Sequence, residues 1–286
     1  MKQVLFNNTL VSVLELDKLH RGGNKYYKLK GNITEANNQR YDTLLSFGGA
    51  WSNHIHALAH LGFEQGFRTI GVIRGERPEI LSPMLVDAEN WGMQLEFVTR
   101  REYREKANPH FLADLTQKFG RFYLLPEGGT NSLAIEGCRE IVFEIDRHQE
   151  DFDLICLPVG TGGTIAGIAK ALPGNKNVLG FVVLKGAEYL GSIVAALTGD
   201  AIKVDSSLNW ALNHDYHCGG YARCPEPLKR FILDFEATHQ LPLDPVYNGK
   251  MLYGLSQMLA SGELDPDLKI VAVHTGGLQG RRGFDF

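Results

Sequence analysis

The stretch DLICLPVGTGGTIAGIAKAL, residues 153–172, passes from an apolar run through a glycine-rich turn into a helical pattern. Its opening residues, 153–159, have the length and continuous apolar character of a strand buried on both faces, and the residues from Thr164 onward repeat apolar side chains at helical spacing. Strand, glycine turn and helix together form the unit of an open parallel sheet, in which ligands gather at the carboxyl ends of the strands.

Working outward, the same unit recurs. YDTLLSFGG (41–49) leads into the helical SNHIHALAHLGFEQG. RTIGVIRG reads as a strand, EILSPMLVDAENWG as a helix and QLEFVT as a strand. REYREKANPHFLADLTQKFG is helical with a break at Pro109, and RFYLLPEGG follows it. Near the end come the strand NVLGFVVLKG, the helix GKMLYGLSQMLASG and the strand KIVAVHTGG. Alternation of this kind predicts an α/β chain of parallel sheets covered on both faces. The unusual residues fall just after the strands, in SFGGAWSNH, LPEGGTNS, LPVGTGGT and VHTGG.

At 286 residues the chain has room for one large domain or two that share a cleft. It is 44% apolar and 22% charged, with 29 basic against 33 acidic side chains. A formal charge of −4 gives no footprint for nucleic acid or an anionic membrane. No run approaches the roughly 20 apolar residues of a bilayer span, and the opening MKQVLFNNTLVSVLELDKL is interrupted by Asn7, Asn8 and Thr9 where a leader would be apolar. Cys138, Cys156, Cys218 and Cys224 show neither CxxC pairing nor metal spacing. The expectation is a reduced, cytoplasmic protein.

Residues 160–164, Gly-Thr-Gly-Gly-Thr, have the geometry of an anion cradle: backbone N–H groups converge at a helix N-terminus, and Thr161 and Thr164 add hydroxyls. A Walker loop needs Gly-Lys-Ser/Thr at its end, whereas Thr164 is followed by Ile165. A dinucleotide fingerprint starting at Gly160 needs glycine or alanine at 165, and the next strand ends in Lys185 rather than an acid. A tight turn without a ligand is the plain alternative. Ser52 and Asn53 have N-cap chemistry, which by itself accounts for both. His54 and His56, two residues apart, do not share a helical face, so no metal is expected.

HRGGNKYYKLK, residues 20–30, places Lys25 behind a Gly-Gly-Asn turn, with Lys28 and Lys30 close by. Alone, this is a solvated basic turn. Beside a phosphate cradle without a nucleotide signature, it points to pyridoxal 5'-phosphate, whose aldehyde condenses with a lysine amine that must be neutral to react. The neighbouring glycines would let the backbone approach the ring.

In order, GGNKYYKLK, FGGAWSNH, PEGGTNSLAIEG, PVGTGGTIAG, DPVYNGK and HTGG resemble the motifs of the D-cysteine desulfhydrase and 1-aminocyclopropane-1-carboxylate (ACC) deaminase family of pyridoxal-phosphate enzymes, from about residue 20 to residue 280. The resemblance implies a tryptophan-synthase β-like fold (fold type II): two open, parallel-rich α/β domains with the cofactor in the cleft. A large discontinuous domain would comprise 1–28 and 128–286, and a small domain 29–127. Lys25 would be the Schiff-base lysine, and Asn53 would bond the cofactor's phenolic oxygen. Gly160, Thr161, Gly162, Gly163 and Thr164 would hold the phosphate. Ser52 would lie on the substrate side, Tyr247 would face the ring, and Tyr221 would be a second active-site tyrosine. A homodimer is implied as well.

The chain departs from the family pattern in three places. The acidic segment before the lysine is reduced to LELDKLHRGG; Asn248 stands where ACC deaminases carry a glutamate facing the pyridine nitrogen; and Thr275 stands where they tend to have leucine. A neutral group at the pyridine nitrogen, Asn248 or Thr275, leaves the ring a weaker electron sink, which suits β-elimination better than cyclopropane opening. The expected reaction is conversion of a small amino acid, D-cysteine for preference, to pyruvate, sulfide and ammonia. In it Lys25 would be the base, Ser52 a positioning group, and Tyr247 or Tyr221 the donor to sulfur. The alternatives are ACC deaminase, a dehydratase or racemase of serine-like substrates, and a non-catalytic module that binds the cofactor or an amino acid.

Overall fold

The computed structural model describes residues 1–148, 151–200 and 208–286. Among the described residues the apolar runs become ten strands in chain order: β1 (Lys2–Phe6), β2 (Thr9–Glu15), β3 (Thr43–Gly48), β4 (Arg68–Arg74), β5 (Gln94–Val98), β6 (Tyr123–Leu124), β7 (Leu154–Val159), β8 (Asn177–Val182), β9 (Trp210–Asn213) and β10 (Ile270–His274). They form two sheets, one of six strands in the order β1-β2-β10-β7-β8-β9 and one of four in the order β5-β4-β3-β6. The four-stranded sheet draws on residues 43–124, and both ends of the chain build the other.

Every strand pair in the small sheet is parallel. In the large sheet β10 lies parallel to β2 and β7, and β7 to β8 to β9. β1 breaks the rule by pairing antiparallel with β2. The expectation of parallel sheets therefore misses an N-terminal hairpin. Its two-residue turn is Asn7-Asn8, with Asn7 at φ 51°, and asparagine is among the few side chains that tolerate the left-handed turn a hairpin needs.

Burial explains the continuous apolar strands. All six residues of β7 are buried, and successive side chains enter different cores. Ile155, Leu157 and Val159 pack with Cys138, Ile141, Ile165 and Ile168 on one face of the sheet. Leu154 and Cys156 join Ile232, Met251 and Leu255 on the other. Period-two alternation thus serves two apolar layers instead of one apolar and one wet.

The helix Asn24–Asn38 packs against Ser132–His148, and there Gly137 matters. A Cβ at Gly137 would lie 2.0 Å from the carbonyl oxygen of Tyr27, so only glycine lets the two helices approach this closely. The approach fixes the height of the first turn of Asn24–Asn38, which holds Lys25. As expected, the segment around Pro109 is two helices, Arg100–Arg104 and Pro109–Phe119, with Asn108 capping the second. Among the described residues no helix is long and apolar enough to cross a membrane.

Candidate active site

A cavity of about 590 Å³ opens at the carboxyl ends of β3, β7 and β10. Lys25, Ser52, Asn53, Gly160, Thr161, Gly162, Thr164, Tyr221, Tyr247 and Thr275 all line it. Gly163 and Asn248 do not.

Lys25 is the second residue of Asn24–Asn38 and follows a turn with Gly22 at φ 94° and Gly23 at φ 56°. A Cβ on Gly23 would fall 2.2 Å from the carbonyl oxygen of Thr275. Gly23 therefore serves contact between two backbone turns, while Gly22 lines the cavity. The Asn24 N–H donates to that same carbonyl at 3.1 Å and ties the lysine turn to the end of β10. Lys25 Nζ donates to Asn24 Oδ1 at 3.1 Å. Burial first, and the positive charge of Lys28 second, lower its pKa to about 7.

The glycine turn after β7 joins a strand to a helix, as its sequence implies. Gly162 takes φ 79° and caps the helix Gly163–Ala171, whose first N–H groups have no partner inside the helix. Asn24 Nδ2 donates to Thr164 Oγ1 at 3.0 Å, so a single asparagine links Lys25 to the first turn of that helix. Lys28 was not foreseen here. Its Nζ donates to the Gly128 carbonyl at 3.2 Å, to Thr130 Oγ1 at 2.9 Å and to Thr161 Oγ1 at 3.2 Å, and the residue is only 2% exposed. A Cβ on Gly163 would stand 3.0 Å from that ammonium, so Gly163 lies against Lys28 without lining the cavity. Dehydration pushes the Lys28 pKa down. The signal for Lys28 lay in the sequence: it follows Lys25 by three residues, and in a helix the two share a face.

Opposite, Ser52 caps the helix Asn53–Gln65 by accepting the Ile55 N–H at 3.3 Å. Capping and lining coexist in this residue. Asn53 Oδ1 accepts from Gln279 Nε2 at 3.0 Å, an orientation the sequence did not reveal. His54 is buried with Nε2 2.8 Å from Ser46 Oγ, and burial together with Lys25 and Lys28 lowers its pKa to about 3, so it is neutral. His56 pairs with Asp87. Among the described residues no cluster of side chains suits a metal ion.

Thr275 stands on the cavity wall, and Asn248 stands behind it. Asn248 is fully buried and spends both ends of its amide on protein: Nδ2 donates to Asp244 Oδ2 at 2.6 Å and to the Gly276 carbonyl at 2.8 Å. Asp244 also accepts the backbone N–H groups of Val246, Tyr247 and Asn248. Of the two neutral candidates named from sequence, Thr275 is the one whose surface reaches the cavity. Tyr221 and Tyr247 meet edge to face, with ring centroids 6.1 Å apart at 75°. Burial raises the pKa of both phenols, so both are protonated at neutral pH.

Comparisons with known proteins agree with this geometry. A family model described as "Pyridoxal-phosphate dependent enzyme" matches residues 14–276. The mitochondrial bifunctional D-cysteine desulfhydrase/1-aminocyclopropane-1-carboxylate deaminase of Arabidopsis thaliana is 32% identical over 281 residues, covering 90% of this chain and 69% of that one. The D-cysteine desulfhydrase of Klebsiella pneumoniae is 26% identical over 275 residues, covering 91% of this chain and 83% of that one. A solved structure of an ACC deaminase homologue superposes with a TM-score of 0.81 at 26% identity, over 95% of this chain and 86% of that one.

Proposed function

Because the chain belongs to the pyridoxal-phosphate dependent enzyme family, we propose that it deaminates a small amino acid by β-elimination, and that the substrate is D-cysteine. The overall change is D-cysteine and water to pyruvate, hydrogen sulfide and ammonia. The observation that carries the reading is the Lys25 amine, lowered to about pKa 7 inside the cavity and joined through Asn24 to the first turn of Gly163–Ala171.

The residues fit the cofactor. Lys28 is a buried cation whose hydrogen bonds go to a carbonyl and two hydroxyls, and a phosphate would supply the missing negative charge. Lys28, Thr161, Thr164 and the first N–H groups of Gly163–Ala171 would hold that phosphate, and Lys25 would hold the aldehyde carbon. Bound there, pyridoxal phosphate supplies an electron sink that makes the α-proton of an attached amino acid acidic.

The chain's own residues do the rest. The Lys25 amine, neutral in about half the molecules at pH 7, takes the α-proton. Ser52 and the N-terminus of Asn53–Gln65 receive the substrate carboxylate. Thr275, a neutral hydroxyl on the cavity wall, would stand beside the ring nitrogen, which would favour elimination over ring opening. Tyr221 and Tyr247 stay protonated and supply the proton that leaves with sulfur.

The test is a visible spectrum of the protein reconstituted with pyridoxal phosphate and titrated with D-cysteine, then with ACC. A cofactor band that shifts with D-cysteine as pyruvate and sulfide accumulate supports the reading. Release of 2-oxobutyrate from ACC without sulfide from D-cysteine replaces it with ACC deamination. A band with no keto acid from any small amino acid overturns it in favour of a binding module.

A further inference from the structure

Lys250 is wholly buried, with 0% exposure, in the first turn of the helix Asn248–Ser261. Burying an ammonium is costly, and an apolar side chain would fill the same space without that cost. Among the described residues Lys250 makes no ion pair. Its single hydrogen bond runs from Nζ to the Gly220 carbonyl at 2.6 Å. Dehydration lowers its pKa to about 8.

Gly220 immediately precedes Tyr221 in a strained segment. Cys218, Gly219, Gly220 and Ala222 all have positive φ, at 54°, 91°, 115° and 57°. Two of the four are not glycine, and residues with a Cβ rarely adopt this backbone. Strain of this kind persists only where the surroundings over-determine the backbone. The segment's internal bonds are all short-range: Gly220 N–H to the His217 carbonyl at 3.0 Å, Arg223 N–H to the Gly220 carbonyl at 3.1 Å, Gly219 N–H to His217 Nδ1 at 3.0 Å and the Cys218 thiol to the Tyr216 carbonyl at 3.3 Å. From outside, the segment is held by the Lys250 ammonium on the Gly220 carbonyl and by the packing of Cys218 and Cys224 against the core of Ile232, Met251 and Leu255. Lys250 lies one turn along from Tyr247, so one helix end carries both the ring-facing tyrosine and the clamp on its partner.

We propose that Lys250 is a positioning residue that holds the Gly219–Gly220 turn so that the Tyr221 phenol stands at the cavity, edge-on to Tyr247. Removing the ammonium releases the turn, and Tyr221, 42% exposed, swings toward solvent. The inference rests on reading the cavity as the reaction site, so its test includes a measurement that needs no turnover. Cys218 and Cys224 flank Tyr221 and lie near Lys250, while Cys138 and Cys156 are buried.

In full-length Lys250→Met, labelling of Cys218 and Cys224 by a thiol reagent, read by mass spectrometry, is expected to quicken about tenfold while that of Cys138 and Cys156 stays slow. With D-cysteine, Lys250→Met is expected to lower kcat about tenfold in the native background and less than about twofold in a Tyr221→Phe background, because the lysine acts through that phenol. Lys250→Gln, which keeps a donor, stands in if the methionine variant does not fold, and its effects lie between. Unchanged thiol labelling overturns the proposal whether or not the protein turns over D-cysteine. Equal kcat losses in both backgrounds overturn it as well, by making Lys250 a general structural residue.

Discussion

The side-chain carbonyl of Asn248 accepts both the backbone N–H of Thr275, at 2.9 Å, and its hydroxyl, at 3.3 Å. One buried amide therefore sets the position and hydroxyl orientation of the residue that meets the cavity. Its other end is spent on Asp244 and Gly276, so the amide has no donor or acceptor left to offer a ligand. A residue that the resemblance suggested for the ring is here a support for its neighbour.

Asn248→Asp tests how tightly that support is drawn. The new carboxylate would stand at the 2.6 Å position now held by Nδ2 against Asp244, where two carboxyls must share a proton. The shared proton raises the folded-state pKa above the unfolded value. Stability relative to the native protein is therefore best preserved at low pH and is lost as pH rises from the ordinary carboxylate range through that raised value. Urea unfolding is expected to show a deficit of about 3 kcal/mol at pH 8 and a smaller one at pH 5. A deficit independent of pH would mean that the pair does not share a proton.

Lys28 predicts a split between stability and binding. Lys28→Met removes a buried cation that has no acidic partner in a hydrogen bond, so the cofactor-free protein is expected to melt at a higher temperature. The same change is expected to weaken pyridoxal phosphate binding about 10- to 100-fold, measured by titrating the visible band. Tighter binding in the variant would remove Lys28 from the phosphate cradle.

Lys25 sets a pH dependence. Only its neutral amine can add to an aldehyde, and its pKa is lowered to about 7. Cofactor uptake by the cofactor-free protein is expected to quicken about tenfold per pH unit below pH 7 and to level off above about pH 8. The step belongs to the amine, because His54, the imidazole beside it, is held to about 3. Lys25→Ala is expected to abolish the band. A midpoint near pH 10 in the native protein would show an ordinary solvated lysine.

How much of this was legible follows from what a local pattern can encode. The glycine turn at 160–163 and the cap at Ser52 are set by backbone demands within a few residues, so the sequence displays them. Lys25 was found because its partners in the argument, a cradle and a Gly-Gly turn, were also local. Lys28 was hidden by reading 20–30 as a turn; once Asn24–Asn38 is a helix, its direction follows. Gln279 against Asn53, Lys250 against Gly220 and Gly23 against Thr275 span separations that only the closed fold brings together. The N-terminal hairpin is obscured for another reason: Asn7-Asn8 interrupts two short apolar runs, and only their pairing shows the break to be a turn.

The tyrosine pair allows a prediction that separates proton donation from packing. Burial holds both phenols above their usual range, so neither ionises where the enzyme works, and each can give a proton only to a group that becomes strongly basic. D-cysteine bound as its thiolate would expel S2−, which is such a group and departs as HS− once protonated, whereas chloride leaving from β-chloro-D-alanine needs no proton. If Tyr247 or Tyr221 protonates the departing sulfur, its phenylalanine variant is expected to lose about 100-fold or more in kcat on D-cysteine and less than about tenfold on β-chloro-D-alanine. The tyrosine with the larger ratio of the two losses is the donor, and the other serves to hold it edge-on at 6.1 Å. Equal losses on both substrates would assign the pair to shaping the cavity, and the proton on sulfur would then have to come from Lys25 after it has taken the α-proton.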